Sequence, residues 1–244
     1  MALLLGIDTE TSGLDSKTDR IIEYGVVLFD WDTKIPVQMI SELIDPAMDA
    51  GGSEFPLSEE IVKLTGITDG MLESYGAYEK DVLIRVNEMS HFADFRVGHN
   101  CNTFDALFMT EAYKRAGLVE PDLLWLDSME DVKFPPEIKT RNLKHLAVEH
   151  NFCPSFSHRA VFDVLTMFRI MAEYDLDAII ARAHEPTLFV QALVSFEEKD
   201  LAKERGYHWC APKKIWWRSW KSSDFEADKF ECPFRTQLLN GAPE

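Results

Sequence analysis

The segment that most limits the fold is Leu3 to Asp8, a continuous apolar run closed by a carboxylate. A run this short and this apolar reads as a strand covered on both faces near the middle of a sheet. Its end is acidic. Gly6-Ile7-Asp8-Thr9-Glu10-Thr11-Ser12-Gly13-Leu14 places Asp8 and Glu10 two residues apart, which on a strand puts both carboxylates on one face. In a half-buried site two such groups repel unless a cation sits between them. A solvated turn, with both acids facing water, is the plain alternative, and the pair alone does not exclude it.

The rest of the chain supplies neighbours for that strand. Ile21 to Phe29 and Pro36 to Ile44 are rich in β-branched residues and are linked by the polar turn Asp30 to Lys34, so the first three strands predict an antiparallel meander. Helical patterning starts with Ser58 as N-cap and recurs over Tyr78 to Phe92. Phe95 to His99 predicts a short strand, Phe104 to Arg115 a helix stopped at Gly117, and Leu123 to Asp127 a further strand. Asn142 to His150 and His158 to Glu173 predict helices. Strands first, then strands alternating with helices, make an α/β fold with a mixed sheet flanked by helices.

After Pro186 the composition shifts. Thr187 to Val194 predicts a strand, Ser195-Phe196-Glu197-Glu198 has the form of a capping box whose helix Gly206 ends, and Tyr207 to Trp209 with Ile215 to Trp220 predict a hairpin. The expected division is 1–185 for the main domain and 186–244 for a small β-α-β-β module, basic and aromatic, with its tail.

Charge is also divided. The chain carries 25 Lys and Arg against 42 Asp and Glu, a formal charge of −17, which disfavours coating a nucleic-acid backbone non-specifically. Leu201 to Lys221 is the exception: six bases against Glu204 give +5 and leave −22 on the remainder. A sequence-independent grip on a polyanion is expected there, with Lys213, Lys214 and Arg218 meeting phosphates. Strand alternation buries Trp216 and Trp220 and leaves Trp217 exposed, a surface on which single-stranded bases could stack. The alternative is that these tryptophans are the minimal core of a unit too small to hold much else. Four scattered cysteines without a CxxC pair read as reduced thiols, and His208, Cys210 and Cys232 lack a fourth ligand at a structural zinc spacing. Met1 to Ile7 lacks a basic leader and is too short for a signal peptide or a membrane span, so a cytoplasmic location and no membrane partner are expected.

Two further segments carry acids. Val97-Gly98-His99-Asn100-Cys101-Asn102-Thr103-Phe104-Asp105 puts an acid at the start of a helix, where the helix dipole alone would favour it. Ser157-His158-Arg159-Ala160-Val161-Phe162-Asp163 puts a histidine five residues before an acid with apolar neighbours, where an unpaired aspartate is costly to bury. In one regular helix that spacing separates the side chains by roughly 140°. His158 is therefore expected in the approach to the helix, able to swing toward a site that Asp163 lines.

Taken in order, the acid-Thr-acid-Thr-x-Gly-Leu segment, Ile-Glu-x-Gly at Ile22 to Gly25, Thr-Gly-Ile-Thr at Thr65 to Thr68, the His-Asn…Phe-Asp segment and the His-x4-Asp pair resemble the DnaQ-like (DEDDh) 3′→5′ exonucleases over about residues 1 to 175. The resemblance implies a ribonuclease H-like fold with a mixed five-stranded sheet. It implies Asp8, Glu10, Asp105 and Asp163 as ligands of two divalent cations, Mg2+ or Mn2+, and His158 as general base. Thr11, Gly13 and Leu14 would line the terminal nucleotide. The implied substrate is a nucleic acid with a 3′ end, single-stranded DNA favoured and RNA allowed, released as nucleoside 5′-monophosphates. In one place the chain departs from the pattern: Cys101, Asn102 and Thr103 stand between Asn100 and Phe104 where the family usually has two residues, so a bulge is expected before Asp105. A proofreading subunit bound to a polymerase or replication partner, and an RNA-processing exoribonuclease, stay open as alternatives, and a homo-oligomer is compatible with each. A non-catalytic nucleic-acid adaptor is disfavoured because all five catalytic residue types are present.

Overall fold

A computed structural model of the protein describes residues 2–49 and 55–243. The chain separates into two compact units, Met1–Ala183 and His184–Glu244. In the first, β1 (Leu3–Thr11), β2 (Ile21–Asp30) and β3 (Ile35–Leu43) form the expected antiparallel meander. There follow α1 (Pro46–Asp49), α2 (Glu59–Thr65), α3 (Asp69–Tyr75), α4 (Glu79–Ser90), β4 (Phe95–Gly98), α5 (Asp105–Ala116), β5 (Trp125–Asp127), α6 (Leu143–Glu149), α7 (Ala160–Met171) and α8 (Leu176–Ala183). Strands β4 and β5 add in parallel, giving the order β3-β2-β1-β4-β5. Strand β1 is central, with β2 antiparallel on one side and β4 parallel on the other. Helices cover both of its faces, and that is why it reads as an unbroken apolar run.

Alternation sorts β1 into two rows. Leu4 packs on one face with Val27 and Phe29 against Val164 and Phe168 of α7. Leu5 and Ile7 pack on the other with Val26 against Val82, Leu83 and Val86 of α4 and Phe108 and Met109 of α5. Each large aliphatic or aromatic side chain so removed from water contributes about 1.5–3 kcal/mol, and those rows fix the register. Two glycines decide how close α7 comes. A Cβ on Gly6 would meet Phe168 at 2.4 Å, and one on Gly25 would meet the backbone of Ala160 and Val161 at 2.2 Å. Gly25 pairs with Asp8 across the β1–β2 ladder. The first turn of α7 is therefore pressed against the sheet beside the acidic end of β1.

Local signals account for several element ends. Ser58 caps α2 by accepting the Ile61 N–H, and Gly117, in a left-handed conformation, stops α5. Helix α7 differs from expectation: it opens at Ala160 rather than His158, because His158 has φ 63°, which a right-handed helix cannot contain.

The second unit comprises β6 (Thr187–Leu193), α9 (Lys199–Glu204), β7 (His208–Cys210), β8 (Ile215–Lys221), α10 (Ser222–Asp228) and β9 (Arg235–Leu239). The β7–β8 hairpin is as expected. The β-α-β-β outline is not the whole unit: α10 adds a second helix, and β9 pairs antiparallel with β6 to complete a sheet of order β7-β8-β6-β9. The expected capping box forms by half. Glu198 accepts the Ser195 N–H at 3.0 Å, yet α9 begins at Lys199, so Ser195 is not its N-cap. Val190, Ala192, Ala202, Tyr207 and Trp220 make the small core. Among the described residues, no helix is long and apolar enough to cross a membrane.

Candidate active site

Asp8 and Glu10 stand on the β1 face that carries α7, as their spacing requires. Helix α7 brings Asp163 to them from that side. Asp163 does not sit unpaired among its apolar neighbours: its Oδ2 accepts the His158 N–H at 2.9 Å, which fixes the turn before the helix. Glu10, His158 and Asp163 each offer one donor atom, and these three atoms lie within 4.8 Å of one another. No other such group of three or more His, Cys, Asp or Glu donors occurs among the described residues, so His208, Cys210 and Cys232 do not assemble a zinc site.

Asp105 arrives from the opposite face. Its Oδ1 accepts both the backbone N–H and the hydroxyl of Thr9, at 2.9 and 2.7 Å, which ties the start of α5 to β1 beside Asp8. Cys101–Thr103 form a single 3-10 turn, with Asn100 left-handed at φ 66°. The buried carboxylate of Asp127, at the end of β5, organises this turn by accepting the N–H groups of Asn100, Asn102 and Met129. A cavity of about 450 Å³ opens beside these acids, lined by Asp8, His99, Arg141, Asn142, Leu143 and Asp163 among others.

The electrostatics follow from crowding. Burial, then the charges of Asp105, Asp163, Glu10 and Glu23, hold the Asp8 carboxyl well above its usual range. Burial and the charges of Asp163, Glu23 and Asp105 push Glu10 from 4.5 to about 8. Burial also raises Asp105 and Asp163, against the hydrogen bonds that Thr9 and His158 donate to them. Four carboxyls that resist joint ionisation suit a site whose working state contains added positive charge.

A family model described as exonuclease, RNase_T, matches residues 5–171. The chain belongs to that exonuclease family. The DNA polymerase III PolC-type proteins of Pediococcus pentosaceus and Bacillus subtilis are 34% identical to it over 157 residues and 32% identical over 160. Each match takes in 64% of this chain, which spans about 10% of the length of those relatives. Among solved structures, E. coli exonuclease I in complex with single-stranded DNA, in its zinc-bound form, has a TM-score of 0.63 at 16% identity, over 79% of this chain and 48% of that one. The nuclease domain of 3′hExo, a DEDDh family member bound to rAMP, has a TM-score of 0.56 at 17% identity, over 70% of this chain and 90% of that one. These likenesses establish the ribonuclease H-like fold of the exonuclease.

Two residues beside these acids escape a reading of the sequence. Glu23, fully buried, pairs with Glu10 across the β1–β2 ladder, a like-charge contact that needs a cation. Arg159 supplies it: Nε and Nη2 donate to the Glu23 carboxylate at 2.8 to 3.2 Å, and the Ala160 N–H adds a bond at 3.1 Å. The pair pins the residue next to His158 to the sheet. Glu23 lies in the Ile-Glu-x-Gly segment and Arg159 adjoins the candidate base, and those were the clues available.

The substrate-binding candidates fare differently from one another. Thr11 is buried and donates its hydroxyl to the Gly13 carbonyl at 2.6 Å, Gly13 packs on Asp19, and Leu14 projects with 85% of its surface exposed. In the second unit, Lys213 and Lys214 are exposed in the β7–β8 turn. Trp217 is half-buried rather than exposed, because Phe189 of the neighbouring strand packs beside it. Arg218 departs from expectation too. Its guanidinium lies 3.7 Å from the Trp220 ring centroid and donates to the Arg205 carbonyl, so it braces the unit's core side.

Proposed function

We propose that the chain is a 3′→5′ exonuclease that removes nucleoside 5′-monophosphates from single-stranded DNA ends, with residues 1–183 as the catalytic unit. The observation that carries this reading is the convergence of Glu10, His158 and Asp163 donor atoms within 4.8 Å at the end of β1, where the charge of Asp105 also raises the pKa of Asp8. The residues fit a divalent metal. Asp8, Glu10, Asp105 and Asp163 offer hard oxygen donors, the preference of magnesium or manganese, and Arg159, whose charge acts on Glu10, is held by Glu23. When bound, a pair of such ions supplies the positive charge that stabilises the attacking and departing oxygens of an in-line phosphodiester displacement.

The chain's own groups do the rest. His158, whose imidazole offers a free lone pair to a proton, takes the proton of the attacking water. Glu23 and Arg159 position it through the pinned backbone. Thr11, Gly13 and Leu14 orient the terminal nucleotide. Single strands labelled at either end test the reading. In magnesium, a 3′ label is expected to appear at once as a mononucleotide and a 5′ label to descend a ladder, with both stopped by EDTA. Release of the 5′ label first, or undiminished hydrolysis in excess chelator, contradicts it.

The PolC-type similarity supports a second reading, in which the chain edits ends for a polymerase carried on another polypeptide. Preference for a mispaired over a paired primer end, together with co-purification of a polymerase, would favour it. A matched RNA substrate in the same assay separates DNA from RNA preference.

A further inference from the structure

Helices of the second unit pack on one side of its four-stranded sheet. Register assigns the residues. Val190, Ala192 and Trp220 point toward α9 and α10, where Ala202 and Phe225 meet them. The opposite side bears Phe189, Gln191, His208, Trp217, Arg235 and Gln237, with the apolar Leu193, Ile215 and Leu239 beside them, and among the described residues no helix of this unit contributes to a core there.

We propose that this second side binds single-stranded DNA, with bases stacked on Phe189 and Trp217 and phosphates met by Arg235, Lys213 and Lys214 around them; the assignment rests on reading the chain as a nuclease of single strands. Its aromatic element is a neighbouring pair, ring centroids 6.0 Å apart, each ring half-buried at the surface rather than sealed in the core. Stacking on such rings tolerates any base. Its polar element is a row. His208, Trp217, Gln191 and Gln237 are successive register partners across all four strands, so the indole is flanked by an imidazole and two amides. An amide carries both donors and an acceptor and can pair with the edge of any base. Its charge is complementary to a polyanion. The exposed, formally charged side chain that register places on this side is Arg235, Lys221 being buried, and no Asp or Glu stands among the register partners, in a chain of net −17. Lys213 and Lys214 extend the same sign into the adjoining turn.

Fluorescence anisotropy of a 5′-labelled oligothymidylate tests this, with the full chain in EDTA so that nothing is hydrolysed, and with a strand longer than the roughly 4–16 nucleotides a small single-strand module covers. Phe189→Ala with Trp217→Ala is expected to weaken binding roughly tenfold or more. Arg235→Gln should flatten the salt dependence by about one released counterion. Trp217→Phe should keep most of the affinity and remove much of the tryptophan quenching that the strand causes in the wild type. Hydrolysis of a dinucleotide in magnesium should be unchanged in every variant. Wild-type affinity in the folded double alanine variant overturns the proposal, and so does tryptophan quenching that survives Trp217→Phe unaltered, a readout that holds even where the double variant fails to fold. An oligouridylate bound more tightly through the same residues overturns the assignment to DNA. A chain that binds the strand through these residues yet hydrolyses none removes the nuclease reading and leaves this one standing.

Discussion

Glu10 meets Glu23 across the ladder and faces Asp8 and Asp163 along and above the strand, so a proton is its easiest partner when no metal is present. A carboxyl whose folded pKa lies above its unfolded one adds stability below the unfolded value, and that stability is lost as pH rises through the folded value. For Glu10 the window runs from 4.5 to about 8, and Asp8, Asp105 and Asp163 shift in the same direction. The Tm in EDTA is expected to fall as pH rises across that window, and saturating magnesium should flatten the fall. A metal-free Tm that climbs instead would contradict this account of the carboxyls. At His158 the expectation is kinetic. His158→Ala should lower kcat by roughly 10²–10⁴-fold, the usual worth of a general base, and recover in part at high pH, where hydroxide needs none. Metal affinity, measured by titration calorimetry, should change far less than kcat.

Helix α7 is the element on which the site depends, and its seat is steric. Gly25→Ala would drive a methyl group to 2.2 Å from the backbone of Ala160 and Val161, atoms that cannot turn aside as a side chain can. A destabilisation of about 1–3 kcal/mol or more is expected from such overpacking. Turnover should fall as well, since the displaced turn carries Arg159 and leads to Asp163; denaturant melts and steady-state rates would show both, and wild-type values for both would refute the packing argument. Much at this scale was legible beforehand. The apolar run of β1, the meander, the caps at Ser58 and Gly117 and the acid spacing each follow from a local pattern of a few residues. Contacts between distant segments were not. Glu23 and Arg159 stand 136 residues apart, and no local pattern announces the pair. A left-handed His158 is invisible to periodicity. Strand β9 has no clear alternation of its own and gains its place from the edge that β6 offers. Arg218 was misplaced because a basic residue beside tryptophans reads equally well as a grip on phosphate or as a cation on a ring.

At the scale of the molecule, each unit holds its own core. Among the described residues, three clusters lie within residues 1–183 and one within 184–244. A chain ending at Ala183 is expected to melt cooperatively and to hydrolyse a dinucleotide at a kcat near that of the full protein. Calorimetry and single-turnover rates check this, and loss of either property would mean that the second unit completes the first. The position of β1, between an antiparallel and a parallel neighbour, has a further effect on the folded population. A strand slipped by one residue presents its opposite face, so the shift that would expose Leu4 would also turn Asp8 and Glu10 away from α7. No mispaired but compact form can therefore masquerade as working enzyme. Specific activity serves as an assay of strand alignment, and a preparation that is folded by circular dichroism yet inactive in saturating metal has a misregistered sheet as its first suspect.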